Sequence, residues 1–175
     1  KVVILVADGS NKDRAMVDEL TKHLSVGQRQ IGYDIWCTTM FRPGAVVGEE
    51  TEAGIKNADI FLHLCSVDLF SGTVRGRYDL PQTLKDRFPT EAGYRHIPVL
   101  LRPVTLPVFL QGAGPLPSNA KPVTDWRDSD QAMGEIARGL NDVIRAKINN
   151  PAARPRHCWT AITTNATKQP SKTSW

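Results

Sequence analysis

Short apolar runs alternate along this chain with stretches in which apolar residues recur every three or four positions. The runs at 1–7, 60–65 and 97–101 are continuous and rich in Val, Ile and Leu. Such runs are typical of strands that are buried on both faces of a sheet. A shorter run at 33–37 predicts a further strand, so the pattern alone predicts four strands.

The segments between these runs predict helices. Met16, Val17, Leu20 and Leu24 share the spacing of one helical face and predict a helix of three turns. Short helices are predicted at 49–58 and from about residue 79 to residue 87, where Pro81 fits only in a first turn. A strong final helix carries its apolar residues on one face: Met133, Ile136, Leu140, Val143, Ile144 and Ile148.

Strand and helix therefore alternate, which indicates an α/β fold with a parallel sheet and helices on both of its faces. In such folds ligands bind beyond the carboxyl ends of the strands. The candidate functional segments are accordingly 8–11, 38–48, 66–79 and 102–105.

Composition divides the chain into a domain at 1–150 and a basic Pro-, Thr- and Ser-rich tail or linker at 151–175. The tail holds four of the 22 Lys and Arg residues and no acid, so the domain has 18 basic and 18 acidic residues and no net charge. A nucleic-acid-binding domain would carry a basic face, so nucleic acid is not an expected partner. The chain starts with Lys1 inside a strand-like run, and we expect it to be part of a longer protein.

Membrane, disulfide and metal sites are not expected. No apolar run approaches the ~18 residues that a transmembrane helix needs. The three Cys residues are far apart and lack a CxxC pair, which fits a reducing cytoplasm and neither a disulfide framework nor a zinc site. His63 and Cys65 lie on one side of one strand. They could form a nucleophile pair, but the apolar strand favours two core positions.

Several segments together resemble one family, over roughly residues 1–148. They are Lys1-Val2-x-Ile4, Asp34-Ile35-Trp36, Phe41-Arg42-Pro43-Gly44, Asn57-Ala58-Asp59-Ile60, Cys65-Ser66-Val67-Asp68-Leu69-Phe70, Ile97-Pro98-Val99-Leu100-Leu101-Arg102-Pro103 and Lys121-Pro122-Val123-Thr124-Asp125-Trp126. In this order and spacing the chain resembles a Toll/interleukin receptor (TIR) domain of the bacterial type. The resemblance implies a three-layer, flavodoxin-like fold with five parallel strands, and self-association through TIR–TIR contacts.

For many members the resemblance also implies cleavage of NAD+ between nicotinamide and ribose. The transition state is oxocarbenium-like, so a carboxylate near the ribose is the main catalytic requirement. The family supplies a Glu at the start of its third helix, whereas this chain has Asp79 or Pro81 there, depending on the register. Asp79 is thus either a shortened catalytic carboxylate or a helix N-cap ahead of Pro81. Whether the chain is an enzyme stays open, and no cofactor is expected beyond NAD+ as a possible substrate.

The candidate site residues follow from the same comparison. Asp8, Gly9 and Ser10 could contact a nucleotide, although they also form an ordinary strand-to-helix turn without a phosphate-cradling glycine motif. Arg42, with Pro43 and Gly44, is the expected interface loop, and Arg42 could also meet a phosphate.

The first interpretation is a signalling and self-association module of a longer immune or stress protein. The alternative is an NAD+ glycohydrolase activated by oligomerisation, for example in anti-phage defence. A deoxyribosyltransferase-like enzyme would also need a Glu nucleophile. A phospho-receiver would need a second acid and a Lys that the pattern does not supply.

Overall fold

A computed structural model describes residues 1–7, 9–39, 50, 53–55, 58–71 and 95–149. Its sheet has four parallel strands: β1 (Val2–Leu5), β2 (Ile35–Cys37), β3 (Ile60–Cys65) and β4 (Arg95–Leu100). The strand order is β2-β1-β3-β4. The chain therefore moves outward from β1 to β2 and then crosses to the other side of β1, so the order reverses between β1 and β3. The α/β architecture predicted from the sequence is confirmed.

Two long helices cover one face of this sheet. They are α1 (Asn11–Ile31) and α3 (Ser129–Asn149), and a short helix α2 (Val67–Ser71) follows β3. Alternate strand residues such as Ile4, Leu62 and Val99 pack against them in one continuous buried core. The opposite face of the sheet carries a smaller cluster that includes Phe61 and Ile55.

Helix α1 is almost twice as long as the three turns that the apolar spacing predicts. It begins after Ser10, whose hydroxyl accepts a hydrogen bond from the Asp13 amide at 3.4 Å, and it ends at Gly32 in the left-handed conformation. Gly27 lies inside the helix, where a Cβ would come within 2.3 Å of the Asn141 side chain. This glycine therefore marks a close approach to α3 rather than the end of the helix.

A fifth strand is not confirmed, because the described residues form four. Leu116 nevertheless lies along the outer edge of β4: its amide donates to the Pro98 carbonyl and its carbonyl accepts from the Leu100 amide, both at 2.8 Å. Proline on either side of Leu116 restricts this pairing to one residue. Pro98 itself is tolerated because its missing donor is on the outer edge, away from β3.

The domain boundary at residue 150 and the helix expected at 79–87 lie outside the described residues. Among the residues that the structure describes, none of the helices combines the length and apolar character that a membrane span needs.

Candidate functional site

Five polar residues meet at the carboxyl edge of the sheet, where the strand order reverses. We call them the switch-point cluster: Ser10, Asp13, Ser66, Asp68 and Arg102. Ser10 and Asp13 follow β1, Ser66 and Asp68 follow β3, and Arg102 follows β4. Because parallel strands end at the same edge, three connections that are distant in sequence converge here.

Asp13 is the buried centre of the cluster. Its side chain is fully inaccessible to solvent, and its Oδ2 accepts a hydrogen bond from Ser66 Oγ at 2.6 Å and one from Arg102 Nη2 at 3.2 Å. In a capping box this third residue of the helix would turn back to the Ser10 amide. Here the Asp13 carboxylate points inward instead and pairs with Arg102 on the other side of the crevice rather than with the amide of Ser10.

Arg102 joins the two sides of the crevice. Its Nη2 contacts Asp13 and also donates to Asp68 Oδ2. Nη2 lies 2.9 Å from Asp13 Oδ1, but its N–H groups point elsewhere, so that oxygen makes a charge contact without a hydrogen bond. One cation thus serves two carboxylates, and the side chain occupies the place where an α/β sheet usually receives a ligand.

The pKa values reflect this sharing. The hydrogen bond from Arg102, followed by one from Ser10, holds the pKa of Asp68 below its usual range. The same bond to Asp68, with a further contribution from Asp13, raises the pKa of Arg102. Ser66 Oγ also accepts from the Leu69 amide at 3.2 Å and so caps α2. The cluster sets two carboxyl groups, those of Asp13 and Asp68, against the single guanidinium of Arg102, and this excess of acidic groups disfavours a phosphate ligand.

A second polar pair lies inside the sheet. His63 Nε2 on β3 is 3.0 Å from His96 Nδ1 on β4, and both rings are buried. Phe61 stacks on His96, and the edge of Phe109 meets His63. Burial, and then the neighbouring His96, lower the pKa of His63 to about 3. The His63 ring is therefore neutral at physiological pH, and both buried rings form part of the core.

His63 and Cys65 do not form a nucleophile pair. The Cys65 thiol donates to the His63 backbone carbonyl at 3.1 Å, while the His63 ring pairs with His96. Burial raises the pKa of Cys65 to about 12, so its reactive thiolate is scarcely populated. The prediction of two core positions agrees with this geometry. Within the described ranges, no three His, Cys, Asp or Glu side chains are placed to hold a metal ion.

The sequence-predicted site residues are only partly described. Gly9 takes a positive φ of 85°, which opens the turn before α1, and Ser10 caps that helix and bonds to Asp68. Five others lie outside the described residues, and their roles stay predictions: Asp8, Arg42, Pro43, Gly44 and Asp79. Sequence reasoning did not identify Asp13 and Arg102 as partners, although both follow predicted strands.

The chain is similar in sequence to a curated protein, although no family model matches it. It is 25% identical over 162 residues to the uncharacterized protein y4lF of Sinorhizobium fredii (strain NBRC 101917 / NGR234); the match covers 92% of the chain and 50% of that protein. The chain thus spans about half the length of this curated relative.

Among solved structures, the chain is similar to the TIR domain of the Toll-related receptor TRR-2 from Hydra magnipapillata. The TM-score is 0.51 and the identity is 23%, with 82% of this chain and 97% of the other covered. At this identity the likeness concerns the fold alone. The residue pattern and the parallel sheet lead to the same result: the chain has the fold of a TIR domain.

Proposed function

We propose that this chain is a TIR-fold signalling and self-association module within a longer protein. The fold likeness to the TIR domain of a receptor carries this proposal. The length of the curated relative supports the second part, since the match covers only 50% of that protein. A module of this kind acts by contact with other copies and with the remainder of its own chain.

The switch-point cluster supports a binding role over a catalytic one. Asp13 is buried and held by Ser66 and Arg102, and Arg102 also engages Asp68. A nucleotide phosphate that entered between β1 and β3 would have to displace Asp13 or Asp68 from Arg102. Displacing Asp13 would leave a carboxylate buried without its cation, which costs several kcal/mol. Weak or absent NAD+ cleavage is part of the proposal, and cleavage that depends on Asp79 is the alternative.

Sedimentation velocity over a range of concentrations tests self-association. The full chain is expected to form larger species as its concentration rises, and Arg42→Ala is expected to remove them, because Arg42 belongs to the proposed interface loop. Arg29→Ala is the matched control, since Arg29 is an exposed arginine in the last turn of α1. Equal sedimentation of Arg42→Ala and the unaltered chain would refute this interface.

A further inference from the structure

Two buried polar atoms at the centre of the switch-point cluster have no hydrogen-bond partner within the described residues: Arg102 Nε and Asp13 Oδ1. One is a donor and the other an acceptor, and they belong to the same ion pair. Buried polar groups are nearly always satisfied, and each one that is not lowers the stability of the fold. The observed position of Arg102 is therefore not the one that pairs best with Asp13.

The contact with Asp68 accounts for this position. Arg102 Nη2 donates to two different carboxylates, that of Asp13 and that of Asp68. Asp13 is fully buried and depends on its cation, whereas Asp68 is 47% exposed and can be solvated by water. The bond to Asp68 thus holds the guanidinium in an orientation in which Asp13 receives one hydrogen bond from it instead of two.

An arrangement that satisfies both unpaired atoms lies close to the observed one. In a guanidinium, Nε–H and one N–H of Nη2 point the same way, so together they can bind both oxygens of one carboxylate. Nη2 already lies 2.9 Å and 3.2 Å from the two Asp13 oxygens. A small rotation of the planar group brings Nε–H to the second oxygen. The Arg102 side chain is 24% exposed, so the core does not enclose it on all sides.

We propose that Arg102 is a switch with two positions. In the observed position Nη2 is shared between Asp13 and Asp68, and in the second position Nε and Nη2 both bind Asp13, so that Asp68 is free to pair with a lysine or arginine side chain of a partner. No buried charge is left alone by this exchange, and Asp68 keeps its hydrogen bond from Ser10. The three switching residues belong to one chain, so the two positions do not depend on self-association.

The Nε–H signal of Arg102 in NMR spectra of the full chain tests the two positions. Asp68→Asn keeps the shape of the side chain and removes its charge, so Arg102 should move to the second position. Its Nε proton then binds a carboxylate and should shift downfield. Asp142→Asn is the matched control and should leave the signal unchanged, because Asp142 is an exposed acid that pairs with Arg145 on α3.

Arg102→Lys distinguishes the two positions by chemistry. A single ammonium group can take the place of Nη2 between two carboxylates, but it cannot form the two-nitrogen fork with one. In urea unfolding, Arg102→Lys should therefore lower the folding equilibrium constant about tenfold more in Asp68→Asn than in the otherwise unaltered chain, since one hydrogen bond to a buried charge is then missing. Equal costs in the two backgrounds, or an Nε proton that Asp68→Asn does not move, would overturn the switch.

Titration with a tri-arginine peptide tests the cationic partner. In the unaltered chain the peptide should shift the Arg102 Nε proton in the same direction as Asp68→Asn does, because the peptide takes Asp68 and Arg102 turns to Asp13. In Asp68→Asn the peptide should cause no further shift. An unmoved signal in the unaltered chain, or the same shift in both proteins, would overturn the pairing of Asp68 with such a partner.

Discussion

Replacing Arg102 with alanine is expected to destabilise the domain by removing one cation from two carboxylates. Asp13 would keep only its hydrogen bond from Ser66, and its carboxylate would remain fully buried. A buried charge without its partner is costly because the protein interior solvates it far less well than water does. The perturbation therefore acts mainly through Asp13.

The size of the effect follows from burial. Removing one partner of a buried ion pair costs about 3–5 kcal/mol. The Arg102 side chain is 24% exposed, so water can partly replace it, and the lower end of that range, about 3 kcal/mol, is expected. Asp68 is 47% exposed and contributes far less, so Asp68→Asn should be milder than Asp13→Asn.

Urea unfolding followed by circular dichroism measures these differences. With a slope of about 2 kcal/mol per molar, a loss of about 3 kcal/mol lowers the midpoint by about 1.5 M. Arg138→Ala removes an exposed ion pair within α3 and serves as the control, with an expected change below about 0.5 kcal/mol. The reasoning is refuted if Arg102→Ala behaves like Arg138→Ala, or if Asp68→Asn costs as much as Asp13→Asn.

Two further predictions concern the core. The pKa of His63 is lowered to about 3, so the unfolded chain binds a proton more readily than the native one. The free energy of unfolding should therefore be highest above about pH 6.5 and fall by up to ~1.4 kcal/mol per pH unit below it. Urea titrations at several pH values measure this dependence, and it should be weaker in His63→Asn. A Cβ at Gly139 would lie 2.5 Å from the Leu116 side chain, whereas a Cβ at Gly134 would meet open space. In thermal melts, Gly139→Ala should therefore be about 1–3 kcal/mol less stable than Gly134→Ala. Equal stability of the two variants would contradict the packing of Leu116 against α3.

The sheet could be predicted because its strands carry their signal locally. The run at 2–5 is apolar throughout and the run at 60–65 is apolar except for His63, and every residue of both runs is buried, as in strands covered on both faces. The length of α1 was harder to predict, because Gly27 and the polar residues around it weaken the helical pattern. Position 27 is a glycine because the Asn141 side chain of α3 lies too close for a Cβ, and a contact between two helices cannot be predicted from the residue spacing within one of them.

The candidate site could be predicted only in outline. Parallel topology places every strand end at one edge, so the segments 8–11, 66–79 and 102–105 were expected to lie at that edge. The pairing itself joins Asp13 to Arg102 across 89 positions, and a single sequence holds no signal for so distant a contact. Asp13 also lies in the first turn of α1, where acidic residues are common and need no distant partner to explain them.

Nicotinamide release from NAD+ by concentrated and by clustered full chain tests the central claim most directly, with Asp79→Ala measured beside it. A binding module whose switch-point crevice is filled by Arg102 should release little or no nicotinamide at any concentration, and equally little from the unaltered chain and from Asp79→Ala. Release by the unaltered chain that disappears in Asp79→Ala would contradict the account and make the chain an NAD+ hydrolase with a shortened carboxylate.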